Sequence, residues 1–151
     1  MPTDQFSHAF TVAAPADRIY AHLSAPESYV GLSPLVVAVR DVRREGDAVA
    51  YVAVERFTLG PWHWDNPIRV RMTFPEPGRR LVSDVRSPGW VRLVATVDLA
   101  AEGDATRVTE SVSVRYPWIL RSFVVGQARS VQRARAAELT RRMEAAPTPA
   151  G

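Results

Sequence analysis

The segment from Pro117 to Met143 constrains the fold most, because it is the only stretch long and periodic enough to make a long amphipathic helix. Leu120, Val124, Ala128, Val131, Ala134 and Leu139 recur at the three- or four-residue spacing of one helical face. Arg121, Arg129, Arg133, Arg141 and Arg142 fall mostly off it. At about 1.5 Å per residue such a helix spans roughly 40 Å, the width of a small domain. Nearly everything between Leu35 and Tyr116 reads as strands. Strands that alternate apolar and polar residues offer one apolar face, so the helix must bury its stripe there.

The strand candidates are Leu35 to Arg44, Ala48 to Thr58, Asn66 to Phe74, Arg80 to Ser87, Trp90 to Leu99 and Thr106 to Tyr116. Short turns separate them, at Glu45-Gly46-Asp47, Gly60-Pro61, Glu76-Pro77-Gly78, Pro88-Gly89 and Glu102-Gly103-Asp104. Connections this short make neighbouring strands antiparallel. Ahead of them, Phe6, His8, Phe10 and Val12 alternate with Ser7, Ala9 and Thr11 as a half-buried strand does. Pro15 suits a first helical position and Asp17 complements the positive end of a helix dipole, which predicts a helix from Pro15 to about Ser24 with Ile19 and Leu23 inward. Pro26 and Pro34 then frame one or two helical turns that bury Tyr29 and Leu32. The layout is α+β: one strand, two short helices, six meandering strands and a long helix.

A chain of 151 residues, 46% hydrophobic, can bury a core as one domain over residues 1–151, with the core at about 5–143. Met1 to Gln5 and the tail from Ala145 to Gly151 are expected to be loose or disordered. There is no cysteine, which excludes disulfides and thiolate metal sites. The N-terminus lacks the charged and apolar regions of a signal peptide, and no apolar run reaches the length of a membrane span. A soluble, cytoplasmic protein is therefore expected. All 19 basic residues are arginine, and from Arg115 onward seven of them face only Glu138 and Glu144. A basic helix can contact nucleic acid or an anionic membrane. With no aromatic residues interleaved to stack bases, the better reading is a solvated outer face, with no nucleic-acid partner.

The opening FTVAAPADRIYAHLSAPESYVGLSP, with its Ala-Pro step, short helix and proline-bounded turn, resembles the start of the START-like proteins. These are also called the SRPBCC or Bet v 1-like superfamily and include polyketide cyclase and dehydratase relatives. The late strand GDATRVTESVSVRYP leading into a long helix is similar to the same group. The resemblance covers residues 5–143 in pattern and order, without a diagnostic catalytic motif. It implies the helix-grip fold: a seven-stranded antiparallel sheet curled around the C-terminal helix, with an apolar cavity between them for hydrophobic small molecules. Carriers, sensors and cyclases share that fold, so it does not decide the function.

Alternation assigns the inward faces. Val70, Met72 and Phe74 point in, as do Leu81, Ser83 and Val85, then Val91, Leu93, Ala95, Val97 and Leu99. The outward charges Arg71, Asp84, Arg86 and Arg92 mix signs and read as exposed surface. In the strand from Ala48 to Thr58, the face of Tyr51, Ala53, Glu55 and Phe57 is taken as inward, because a cavity tolerates Tyr51 and a rim Glu55 better than Arg56. Two polar residues interrupt apolar inward faces: His8 on the first strand and Glu110 among Val108, Val112, Val114 and Tyr116 on the last. In the family's arrangement those strands are neighbours, so His8 and Glu110 are the candidate catalytic pair, a titratable imidazole and a carboxyl able to move a proton. Against this stand a frayed position for His8 and pairing of Glu110 with an arginine.

In GPWHWDNP, Trp62 and Trp64 fall on one side of a hairpin tip and His63 on the other. The two indoles either cover the cavity mouth and stack on a planar ligand or cap an edge of the core. Tyr29, Tyr51, Phe57, Met72, Tyr116, Phe123 and Gln127 complete the candidate ligand-binding set. A metal site on His63 and Asp65 is not supported, since His8 and His22 show no ligand spacing; no metal and no cofactor is expected. The partner expected is a hydrophobic, aromatic or polycyclic small molecule, and a homodimer is left open. Two functions remain: a binder or carrier, for which apolar faces suffice, or a polyketide-type cyclase or dehydratase using acid-base chemistry. A groove that receives another protein is a third.

Overall fold

In the computed structural model, which describes residues 2–145, the chain begins with β1 (Thr3–Val12) and α1 (Ala16–Ser24). A 3₁₀ turn (Pro26–Ser28) and the short α2 (Tyr29–Leu32) lead into β2 (Val36–Glu45), β3 (Ala48–Leu59), β4 (Trp62–Glu76), β5 (Arg80–Ser87), β6 (Val91–Glu102) and β7 (Ala105–Arg115). A second 3₁₀ turn (Trp118–Leu120) then opens α3 (Arg121–Ala145). The tail expected to be disordered lies, beyond Ala145, outside the described residues, as does Met1.

The seven strands form one antiparallel sheet in the order β1-β7-β6-β5-β4-β3-β2. Short turns force β2 to β7 into a meander, and β1 closes it by pairing with β7 from Thr3↔Arg115 to Val12↔Thr106. This is the helix-grip layout, with the long helix lying over one sheet face. Thr3 to Gln5 were expected to be loose but belong to β1, because Ser113 to Arg115 offer their backbone groups as partners. Likewise β4 begins at Trp62 rather than Asn66, since the hairpin pairs without a break from Leu59↔Trp62 to Glu55↔Asn66. Trp90 sits in the turn before β6 instead of opening it. Pro15 caps α1 from an extended conformation instead of starting it.

Packing divides the molecule into two ends. The hydrophobic core, built on Val12, Ile19, Leu32, Met72, Leu81 and Leu139, sits where α1, α2 and the C-terminal half of α3 meet the sheet. Arg142 ties that end together. Its guanidinium donates to the Ser28 carbonyl at 2.6 Å and the Val30 carbonyl at 3.0 Å, and pairs with Glu138 at 2.9 Å. Gly31 permits the approach: its φ is 78°, and a Cβ there would lie 3.2 Å from the Arg142 Nη2.

The expected helical stripe needs correction. Only Leu139 of that set is fully buried, and the buried face of α3 is Gln132, Ala136, Leu139 and Met143. Leu120 is exposed, and Ala134 lies off the stripe. Val124, Ala128 and Val131 face an open space between the helix and the middle strands, while the outer side of the same helical half touches β1, with the Arg129 guanidinium 5.3 Å from the Phe6 ring centroid. On the outer sheet face the mixed charges are surface pairs, among them Arg92 with Asp84 at 2.7 Å, each worth little in water.

Candidate ligand cavity

That open space is a cavity of about 380 Å³ between β3 to β7 and the N-terminal half of α3. Its sheet wall is made by the inward faces that alternation assigns. Tyr51, Ala53, Glu55 and Phe57 line it from β3, with Arg56 outside and paired to Asp65 at 2.8 Å. Leu93, Ala95 and Val97 line it from β6, and Val124, Gln127 and Val131 from α3. The walls are therefore mostly apolar, and the chemistry resides in three places.

At the closed end Arg135 and Glu110 form an ion pair away from water, with side chains 19% and 9% exposed. The Arg135 guanidinium grips both carboxylate oxygens, its Nε at 3.2 Å from Oε2, and its Nη1 donates to the Ser33 hydroxyl at 3.2 Å. Burial works against the arginine charge, but the Glu110 carboxylate outweighs it and raises the Arg135 pKa. Gln132 donates to the Glu110 backbone carbonyl at 3.1 Å. Two tyrosines stand over this pair, with ring centroids 6.4 Å apart. The Tyr29 hydroxyl donates to the Leu23 carbonyl at 2.7 Å, while the Tyr51 hydroxyl has no hydrogen-bond partner among the described residues. Burial pushes both phenol pKa values up, so each stays a neutral donor.

Midway along the wall stands Glu55. Burial raises its carboxyl pKa, a hydrogen bond with Asn66 partly offsets this, and Asn66 in turn donates to the Ser87 hydroxyl at 3.3 Å. Because the folded state holds the Glu55 proton more tightly than the unfolded chain, its contribution favours folding at acid pH. It is lost as pH rises through the raised folded value. Glu55→Gln should therefore gain stability relative to the native protein between about pH 4.5, the ordinary carboxyl value, and neutrality. Urea unfolding of both proteins across that range checks this, and parallel pH profiles would show that Glu55 is not desolvated.

At the mouth, Trp64 stacks on Phe57 with centroids 5.6 Å apart, and Phe57 lies 6.2 Å from Phe123 at the start of α3. The β3–β4 hairpin thus leans across the opening. Of the residues expected from sequence, Tyr29, Tyr51, Phe57, Trp64, Phe123, Gln127 and Glu110 line the cavity. Met72 is a fully buried core residue, Tyr116 is buried with its hydroxyl donating to Asp4, and Trp62 is exposed on the hairpin tip. His8 stands opposite Glu110 in the β1–β7 register, but its ring stacks 5.6 Å from Phe10 and it is not part of the cavity lining.

Sequence reasoning named no role for Arg135 and gave Glu55 only a place at the rim. For Arg135 the signal was present, since Val131, Arg135 and Leu139 lie four apart on one helical row. Among the described residues no group of three or more His, Asp or Glu is placed to hold a metal. No helix among them is long and apolar enough to cross a membrane.

Residues 3–144 match the family model described as polyketide cyclase / dehydrase and lipid transport. The chain belongs to that family. Solved structures with the same fold include a START superfamily protein from Mycobacterium smegmatis, 16% identical, covering 95% of this chain and 99% of that one with a TM-score of 0.74. The Zhui aromatase/cyclase from Streptomyces sp. R1128 is 18% identical over 93% of this chain and 96% of its own, with a TM-score of 0.69. The di-domain ARO/CYC BexL from the BE-7585A biosynthetic pathway is 18% identical over 96% of this chain and 51% of its own, with a TM-score of 0.74. At these identities the likeness speaks for the fold. No curated protein sequence matches the chain.

Proposed function

We propose that this member of the polyketide cyclase / dehydrase and lipid transport family binds a hydrophobic, aromatic or polycyclic small molecule between its sheet and α3. The observation that carries the reading is the cavity itself, whose 380 Å³ falls within the roughly 300–1000 Å³ usual for small-molecule sites. Its apolar walls favour a rigid apolar body, and the Phe57–Trp64 stack at the mouth suits a planar ring. The free Tyr51 hydroxyl, Glu55 and Gln127 are among the polar groups of the lining that can meet oxygen substituents. Such a ligand is a ring system bearing carbonyl or hydroxyl groups.

The test is binding of an apolar aromatic dye, with native mass spectrometry of the purified protein for a co-purified ligand. Trp64→Ala should weaken dye binding about tenfold, as loss of a stacking partner worth roughly 1–1.5 kcal/mol predicts, with little change in thermal midpoint. If dye binding is absent in the native protein, or the variant unfolds instead of losing affinity, the reading falls.

A cyclase or dehydratase acting in the same cavity is the second reading, and Glu55 favours it. It is a cavity carboxyl with a raised pKa and no cation beside it, as a general acid requires. The pair His8 and Glu110 has less support for that role. Arg135 occupies the Glu110 carboxylate, and His8 stands outside the lining. The aromatase/cyclase neighbours share the fold, which makes their reaction class the one to assay first.

A further inference from the structure

All four tryptophans of the chain lie toward one end of the sheet, and each is between 51% and 82% exposed. The antiparallel order requires this gathering. The β3–β4 hairpin tip with Trp62 and Trp64 at the start of β4, the β5–β6 turn with Trp90, and the β7–α3 link with Trp118 all lie at the same end. That end is the cavity mouth, since Trp64, Pro88, Leu120 and Phe123 line the opening. Leu59 and Ile119 stand out beside the indoles, each more than two-thirds exposed. An apolar rim of this size is costly to leave in water. Trp90 is also held in a left-handed conformation, φ 59°, which non-glycine residues rarely adopt.

Charge is distributed just as unevenly. The segments Leu59–Trp62, Pro88–Trp90 and Pro117–Leu120 carry no charged residue. The three turns at the opposite end are acidic on balance, carrying Glu45 and Asp47, Glu76 with Arg79, and Glu102 and Asp104. On the outer sheet face next to the rim, Arg69, Arg86, Arg92 and Arg115 stand side by side in register across four strands. Arg92 is paired with Asp84, and among the described residues the other three are in no ion pair. Like charges in adjacent register destabilise a sheet unless something outside neutralises them.

We propose that the tryptophan rim docks on a phospholipid bilayer with anionic headgroups, opening the cavity mouth toward the hydrocarbon. Indoles settle at the membrane interface, where an apolar ring and an N–H donor are both accommodated. Arginines just behind them meet the negative surface, and the acidic turns point away. A second copy of this chain fits worse. Its two-fold interface would bring another set of the same arginines toward the first, and indoles on three separate tips around an opening offer no continuous face. This docking stands apart from the ligand reading, and its test separates the two.

The experiment is vesicle co-sedimentation with phosphatidylcholine alone and with phosphatidylglycerol added, together with tryptophan emission and sedimentation velocity. Expected are binding to the anionic vesicles that weakens with salt and a blue shift of emission on binding. Trp90→Ala with Trp118→Ala, neither in the cavity lining, should weaken binding at least about tenfold while dye binding in the cavity is unchanged. Arg86→Gln and Arg115→Gln should each weaken it about fivefold, the share of one cation at an anionic surface. Failure of the native protein to bind the anionic vesicles overturns the proposal, whatever the dye shows. So does equal binding by the double tryptophan variant, or a dimer that only that variant dissolves.

Discussion

Arg135→Met is expected to destabilise the fold by about 3–5 kcal/mol, the cost of leaving a buried carboxylate without its counter-charge. Glu110 is almost fully enclosed, and both its oxygens rest on the one guanidinium. Water can reach the cavity but not surround that carboxylate, so the group must either stay charged at high cost or take up a proton. Glu110→Gln combined with Arg135→Met should recover most of the loss, because a neutral amide in place of the carboxylate leaves no charge unpaired. By contrast Arg133→Glu, on the exposed side of the same helix, should change stability by less than about 0.5 kcal/mol. Urea unfolding measures all four proteins. A single variant as stable as the native protein would show that the pair is solvated and that the closed end of the cavity is wet.

Ala95→Phe is expected to abolish dye binding by about a hundredfold or more while the protein stays folded. Ala95 lies on the inner face of β6 between Ser83 of β5 and Val112 of β7, all three in the cavity wall. A phenyl ring there enters empty space, so the overpacking cost of about 1–3 kcal/mol that a filled core would impose is reduced. The ring takes the volume a ligand needs, and a hundredfold loss corresponds to about 2.7 kcal/mol of binding free energy. Thr96→Phe, one residue on and facing the other side of the sheet, serves as the control and should leave affinity unchanged. Retained binding by Ala95→Phe would place the dye somewhere other than between the sheet and α3.

The candidate site was legible in sequence to the extent that it is made of alternation. Tyr51 and Phe57 could be assigned inward because Arg56 cannot easily be, and Glu110 stood out as the one charge on the inward face of the last strand. Glu55 was visible on the inward face of β3, but its importance depends on Asn66 and Ser87, which reach it only through β4 and β5. Met72 and Tyr116 were assigned to the ligand because they face inward, and the structure places them in packed regions. Direction across a strand does not tell how far along the strand the packing extends.

The amino-acid order alone determined where strands turn, which way their side chains point, and that one long helix must cover the inner face. These are local properties, set by the two-residue and 3.6-residue periods and by glycine and proline at the turns. Tertiary structure decided that the C-terminal half of α3 is packed and its N-terminal half lines a cavity. It turned Arg135 inward toward a carboxylate 25 residues earlier and set four tryptophans from three connections at the same end of the sheet. Each depends on distances between segments remote in sequence, which sheet order and register fix and no local period records.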